Sequence, residues 1–128
     1  MKRNAAENLY VVSLLLAGEK NAIKSEQLRD RAGYETVREL RKEIERERNS
    51  GAIILSSNRG YFLPERDETG QLSLQGYMDA KRWWRQQTAK GNGTLRSARS
   101  AGAAVANYAA ANFSIFGEGR ADGKTANV

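Results

Sequence analysis

Four cations, Arg38, Arg41, Lys42 and Arg46, recur three and four residues apart. On a helix that spacing gathers side chains on one side. A guanidinium held there can fork onto a guanine edge, a contact worth ~1–3 kcal/mol of discrimination. Arg38 and Arg41 suit that task, and Lys42 and Arg46 suit phosphates. Thr36 stands just before them and can turn its hydroxyl, or the helix-terminal amides, toward a phosphate. Asn58 and Arg59 lie between Ser57 and Gly60, where a turn would present a second cationic point. A third group holds Lys81, Arg82 and Arg85, with Lys90, Arg96 and Arg99 beyond. No acid occurs from residue 80 to 100, so each of these bases could neutralise a phosphate. The chemistry on offer is anion recognition. Against it, Glu35, Glu39, Glu43, Glu45 and Glu47 balance the bases of the first group, as in a solvated helix laced with i,i+4 pairs.

Catalysis is poorly served. The chain has no cysteine and no histidine, which removes the commonest nucleophile–base and metal-ligand sets. Asp67 and Glu68 are carboxylates in a polar stretch without a pocket. Gly91, Asn92 and Gly93 lack the strand–loop–helix context of a phosphate-cradling loop. Ser56 and Ser57 have no base beside them. No enzyme activity, cofactor or metal is expected. A net charge of +6 makes a polyanion a natural partner. No apolar run approaches the ~20 residues that cross a bilayer, and 9–17 is too short for a secretory signal, so no membrane partner and a cytoplasmic location are expected.

Elements must hold these residues in place, and 128 residues allow one compact domain with appendages. Leu9, Val12, Leu15 and Leu16 predict a first helix over 5–17, capped by Asn4 with Glu7 and stopped by Gly18. Ser25 caps a short second helix that Gly33 ends. After a tight turn, Thr36 and Glu39 form a capping box for a helix over 36–49, with Val37, Leu40 and Ile44 inside. The period then changes. Residues 52–56 and 61–63 read as two strands around a turn, closed by Pro64, the only proline. Residues 65–73 read as a linker. A helix over 74–89 carries Trp83 and Trp84. Adjacent tryptophans point about 100° apart on a helix, so one packs on the body and the other is left for a dimer contact or for solvent. Residues 91–93 break this helix, Thr94 caps a new start, and 95–112 is alanine-rich, which permits close approach to a twin helix in a homodimer. Residues 113–128 have no core-forming pattern and read as disordered. The predicted class is mainly α with a small β-hairpin. A helix-turn-helix with a hairpin wing occupies 1–64, and a basic, Trp-containing helical extension occupies 74–112.

Residues 25–65 resemble the winged-helix domain of the biotin operon repressor family. The likeness is carried by Ser25 to Leu28, Ala32 and Gly33, Leu40 and Ile44, Gly51, and the run from Asn58 through Gly60, Tyr61, Phe62, Leu63 and Pro64 to Glu65. The chain also resembles small phage and prophage winged-helix proteins, which share the pattern seen here from Glu47 to Gly51 and a basic helical tail. The resemblance implies a regulator of transcription or replication in a bacterial host cytoplasm. It would bind duplex DNA with helix 36–49 in the major groove and wing 57–60 on the backbone. No ligase chemistry carries over. Two other readings stay open: a winged-helix interaction or assembly module whose Trp-bearing helix binds a protein, and single-strand binding by the basic, Trp-containing tail.

Overall fold

The computed structural model describes residues 9–90 and 97–113. The predictions for Asn4 and Glu7, for 91–96 and for 114–128 lie outside the described residues. The described chain is mainly helical with one small antiparallel hairpin: α1 (Ser25–Ala32), α2 (Val37–Asn49), β1 (Leu55–Ser57), β2 (Gly60–Phe62), α3 (Leu74–Lys90) and α4 (Arg99–Phe113). No helix among the described residues is long and apolar enough to cross a membrane.

Helices α1 and α2 are joined by a turn that several local devices fix. Gly33 closes α1 at φ +86°, where a side chain would be strained, and its amide returns to the carbonyls of Arg29 and Asp30. Arg29 donates to the carbonyl of Glu35 at 3.1 Å, clamping the far side of the turn. Thr36 then caps α2. Its hydroxyl accepts from the Glu39 amide at 3.1 Å, and the Glu39 carboxylate accepts from the amides of Thr36 and Glu35. Leu40 and Ile44 bury one side of α2. Ser25, expected as the cap of α1, is instead its first helical residue. Lys24, still extended from Ile23, occupies the cap position without a side-chain bond.

The hairpin pairs Leu55 with Phe62, Ser56 with Tyr61 and Ser57 with Gly60 around the two-residue turn Asn58–Arg59. Its outer edge is not bare. Ile23 and Tyr61 exchange both backbone hydrogen bonds at 2.9 Å, and Ala17 bridges Leu63 in parallel. Gly60 is required at its place. Its φ is +126°, and a Cβ there would run into the Ile23 carbonyl.

The first predicted helix is a correction. Over residues 9–17 only Val12–Leu14 form a 3-10 turn. Two tertiary demands outcompete helix propensity. The amides of Val11 and Val12 donate to the Glu47 carboxylate at 2.8 and 3.1 Å, and Leu16 and Gly18 are drawn into backbone pairing with Leu63. Val11 and Leu15 are buried in consequence, while Leu9 and Leu16 stay exposed.

Alternation along the hairpin gives it an apolar face on each side. Ile54, Tyr61 and Leu63 pack with Val11, Ile23, Leu28, Leu40 and Ile44. Leu55 and Phe62 pack with Leu72, Tyr77, Ala80, Trp83, Ala101 and Val105. The stretch read as a linker is an ordered turn: the Asp67 carboxylate accepts from the Thr69 amide, the Thr69 hydroxyl and the Gln71 amide, and Ser73 returns to Glu65. Helix α3 starts against that turn and lies on the hairpin, with the Trp83 indole donating to the Ser56 hydroxyl at 3.1 Å. Trp83 is the buried tryptophan. Trp84 is half-buried over Gly102, where a Cβ would strike its ring. The close approach that the alanines permit is thus made within the chain, between α3 and α4.

Candidate nucleic-acid interface

With Leu40 and Ile44 turned inward, helical geometry sends Arg38, Lys42 and Glu45 to the opposite side of α2, and all three are exposed. Arg41 is also exposed and flanks the hairpin. It lines a recess of about 220 Å³ with Glu45, Arg48, Tyr61, Gln87 and Ser97. The face proposed to meet bases is therefore open to solvent, with a hairpin strand beside it.

Two residues assigned to phosphates are otherwise engaged. Arg46 folds back on Glu43, Nε to Oε1 at 2.9 Å and Nη2 to Oε2 at 2.6 Å, and lies 4.0 Å from Glu47. That hydrogen bond, followed by the two carboxylate charges, holds its pKa above the usual guanidinium value. The Thr36 hydroxyl already accepts the Glu39 amide, and the Glu39 carboxylate, held by the amides of Glu35 and Thr36, sets a negative charge just before α2, where a phosphate would otherwise approach.

The hairpin tip presents Asn58 and Arg59 to solvent. The Asn58 carbonyl accepts from Lys24 Nζ at 2.9 Å, and the Arg59 amide donates to the Ser57 hydroxyl. Between the hairpin and α3 runs a groove of about 520 Å³, bordered by Ser57, Asn58, Arg82, Gln86 and Lys90, with Glu19 at one side. Glu19 pairs with Arg82 at 3.1 Å, and Asp79 stands 3.6 Å from the same guanidinium. The Glu19 carboxyl is held below its ordinary range, first by its hydrogen bond to Ser57 and then by Arg82 and Arg59. The run without acids along the sequence is thus not a run without acids in space.

The cations of α3 divide between two sides. Arg82, Gln86 and Lys90 face the hairpin. Lys81 and Arg85 lie on the other side with Tyr77 and Met78, and Arg82 and Gln86 form the ridge between. The structure therefore gathers Lys24, Arg59, Arg82 and Lys90 near the tip and leaves Lys81 and Arg85 apart.

Three residues carry roles that sequence reasoning passed over. Lys24, ahead of α1, reaches across to the hairpin tip at Asn58. Arg48 donates to the Ile54 carbonyl through Nε at 2.8 Å and Nη2 at 2.6 Å, with its guanidinium 4.5 Å from the Trp83 ring centre. Burial pushes its pKa down to about 10. Glu47, counted among surface acids, is fully buried. Burial, reinforced by the neighbouring Glu43, pushes its carboxyl up to about 7 against the lowering effect of the Val11 and Val12 amides. The signal for Glu47 was present: it follows Leu40 by seven and Ile44 by three, on the inward stripe. Comparison with protein-family models, with characterised proteins and with solved structures finds no match.

Proposed function

We propose that this chain is a winged helix-turn-helix protein that binds duplex DNA and regulates phage or prophage transcription or replication. Helix α2 enters the major groove, and the 57–60 tip rests on the flanking backbone. The observation that carries the reading is the solvent-free placement of Leu40 and Ile44 against the exposed Arg38, Arg41 and Lys42, with the hairpin held alongside by the Ile23–Tyr61 pairing. The order of helix, turn, helix and hairpin, with Ile23 pairing at the sheet edge ahead of α1, supports this reading. Arg38 and Arg41 are the base-reading candidates. Lys42, Arg59, Lys24 and Lys90 supply backbone contacts. The protein acts by binding and positioning, without a chemical step of its own.

Fluorescence anisotropy with a random duplex pool at low and moderate salt tests this. Binding at low salt should weaken steeply as salt rises, with about 0.9 in the log–log slope for each phosphate neutralised. Arg41→Ala should flatten the preference among selected sites by ~1–3 kcal/mol. No binding at low salt would defeat the proposal. It would favour the interaction module, a reading supported by the Glu39 carboxylate fixed at the N-terminal end of α2 by the amides of Glu35 and Thr36.

A further inference from the structure

Helix α3 uses one side completely. Tyr77, Ala80, Trp83 and Gln87 are buried against the hairpin and α4. On the outer side, Leu74, Met78, Lys81 and Arg85 follow one another at intervals of four, three and four. That is the spacing of a seam between two packed helices. The upper half of the seam is apolar and wet: Leu74 is 57% exposed and Met78 52%. Phe113, 46% exposed, extends it from α4 through its edge contact with Tyr77 at 5.6 Å. The lower half is cationic. Lys81 has only the Tyr77 ring, 5.6 Å away, and Arg85 makes no ion pair among the described residues. Tyr77, Met78, Lys81 and Arg85 line a shallow recess of about 420 Å³. Among the described residues no acid lines this recess.

We propose that the Leu74–Met78–Lys81–Arg85 seam of α3 docks an acidic amphipathic helix from a partner protein. The partner would carry two aliphatic side chains and two carboxylates at the same spacing. Charge complementarity selects it. A second copy of α3 is excluded in either direction, because parallel packing sets Lys81 against Lys81, and antiparallel packing sets Lys81 and Arg85 against Met78 and Leu74. Nucleic acid fits poorly. Phosphates would satisfy the cations but leave two aliphatic side chains against a polyanion, and the Tyr77 ring, 7% exposed, offers bases no face to stack on. The seam also lies on the far side of the Arg82–Gln86 ridge from the hairpin groove, so it is available while that groove is occupied.

The test uses the full chain and fluorescein-labelled helical peptides on an alanine–glutamine background. One pair bears Leu, Leu, Glu and Glu at four-three-four spacing in both sequence orders, and a matched pair bears Lys in place of Glu. The acidic peptides should bind and the basic ones should not. Met78→Gln and Arg85→Glu should each weaken the acidic complex by about tenfold, and Arg85→Glu should gain the basic peptides. Both positions are exposed, and far-ultraviolet circular dichroism should stay unchanged. Duplex DNA binding by these variants should stay within about twofold of the parent. Equal binding of acidic and basic peptides, or variants that bind as the parent does, overturns the proposal. Loss of duplex binding, or of binding to phosphatidylglycerol vesicles, in Met78→Gln would also overturn it, assigning the seam to nucleic acid or to a membrane.

Discussion

Glu47 offers a quantitative test of the packing beneath α2. Its carboxylate is fully buried, accepts the amides of Val11 and Val12, and stands beside Glu43. In the folded protein its pKa is pushed up to about 7 from an ordinary 4.5. A raised carboxyl pKa means that the folded state holds a proton the unfolded chain has already released. Stability is therefore greatest below the unfolded value and falls as pH rises toward the folded one. Integrating that difference from pH 5.5 to 7.5 gives a loss of about 2 kcal/mol. The window is favourable, because the chain has no histidine, the side chain that ordinarily titrates there. Glu47→Gln keeps the size of the side chain and one of the two acceptor contacts. It should cost about 1 kcal/mol at pH 5.5 for the lost hydrogen bond, and its stability should then be flat to pH 7.5. Urea unfolding at half-unit pH intervals measures both curves. A parent stability that rises between pH 5.5 and 7.5, or a slope that persists in Glu47→Gln, would refute the reasoning.

Lys90→Ala should lower the slope of log affinity against log salt for duplex DNA by about 0.9, whereas Lys81→Ala, on the other side of α3, should leave it unchanged; salt titrations of both variants decide this. Gly60→Ala should destabilise by about 2 kcal/mol or more, since it adds both a strained φ and a clash with the Ile23 carbonyl, and chemical unfolding will report it. Thr36→Ala should cost about 1 kcal/mol through loss of the cap, again read by unfolding. Trp83→Phe should remove the bond to Ser56 and weaken the stacking of Arg48, at a cost of about 1–2 kcal/mol.

Elements signalled by local chemistry were legible. The Thr36–Glu39 box marks the start of α2, Gly33 marks the stop of α1, and the change to β-branched residues marks the hairpin up to Pro64. Arg38, Arg41 and Lys42 follow on the exposed side once Leu40 and Ile44 are placed inside. What escaped was set by distant partners. Residues 9–17 have helical periodicity, but Glu47 and Leu63 claim their backbone groups. Arg46 and Arg48 look like neighbours of Lys42 in the sequence, yet one closes on Glu43 and the other on Ile54 and Trp83. Charge counts along α3 missed Glu19, 63 residues earlier, which reaches Arg82. The turn at 65–73 looked like a spacer because its order comes from Asp67 collecting local amides rather than from apolar residues.

The hairpin has one further consequence. Among the described residues the hairpin contributes side chains to both apolar clusters, so each cluster lies against the other across a layer of backbone. A cut after Pro64 would leave Leu55 and Phe62 facing water, and a C-terminal fragment would lose the surface on which Trp83 rests. The molecule should accordingly melt in one cooperative step, and neither half can be transplanted alone without a replacement for that thin shared septum.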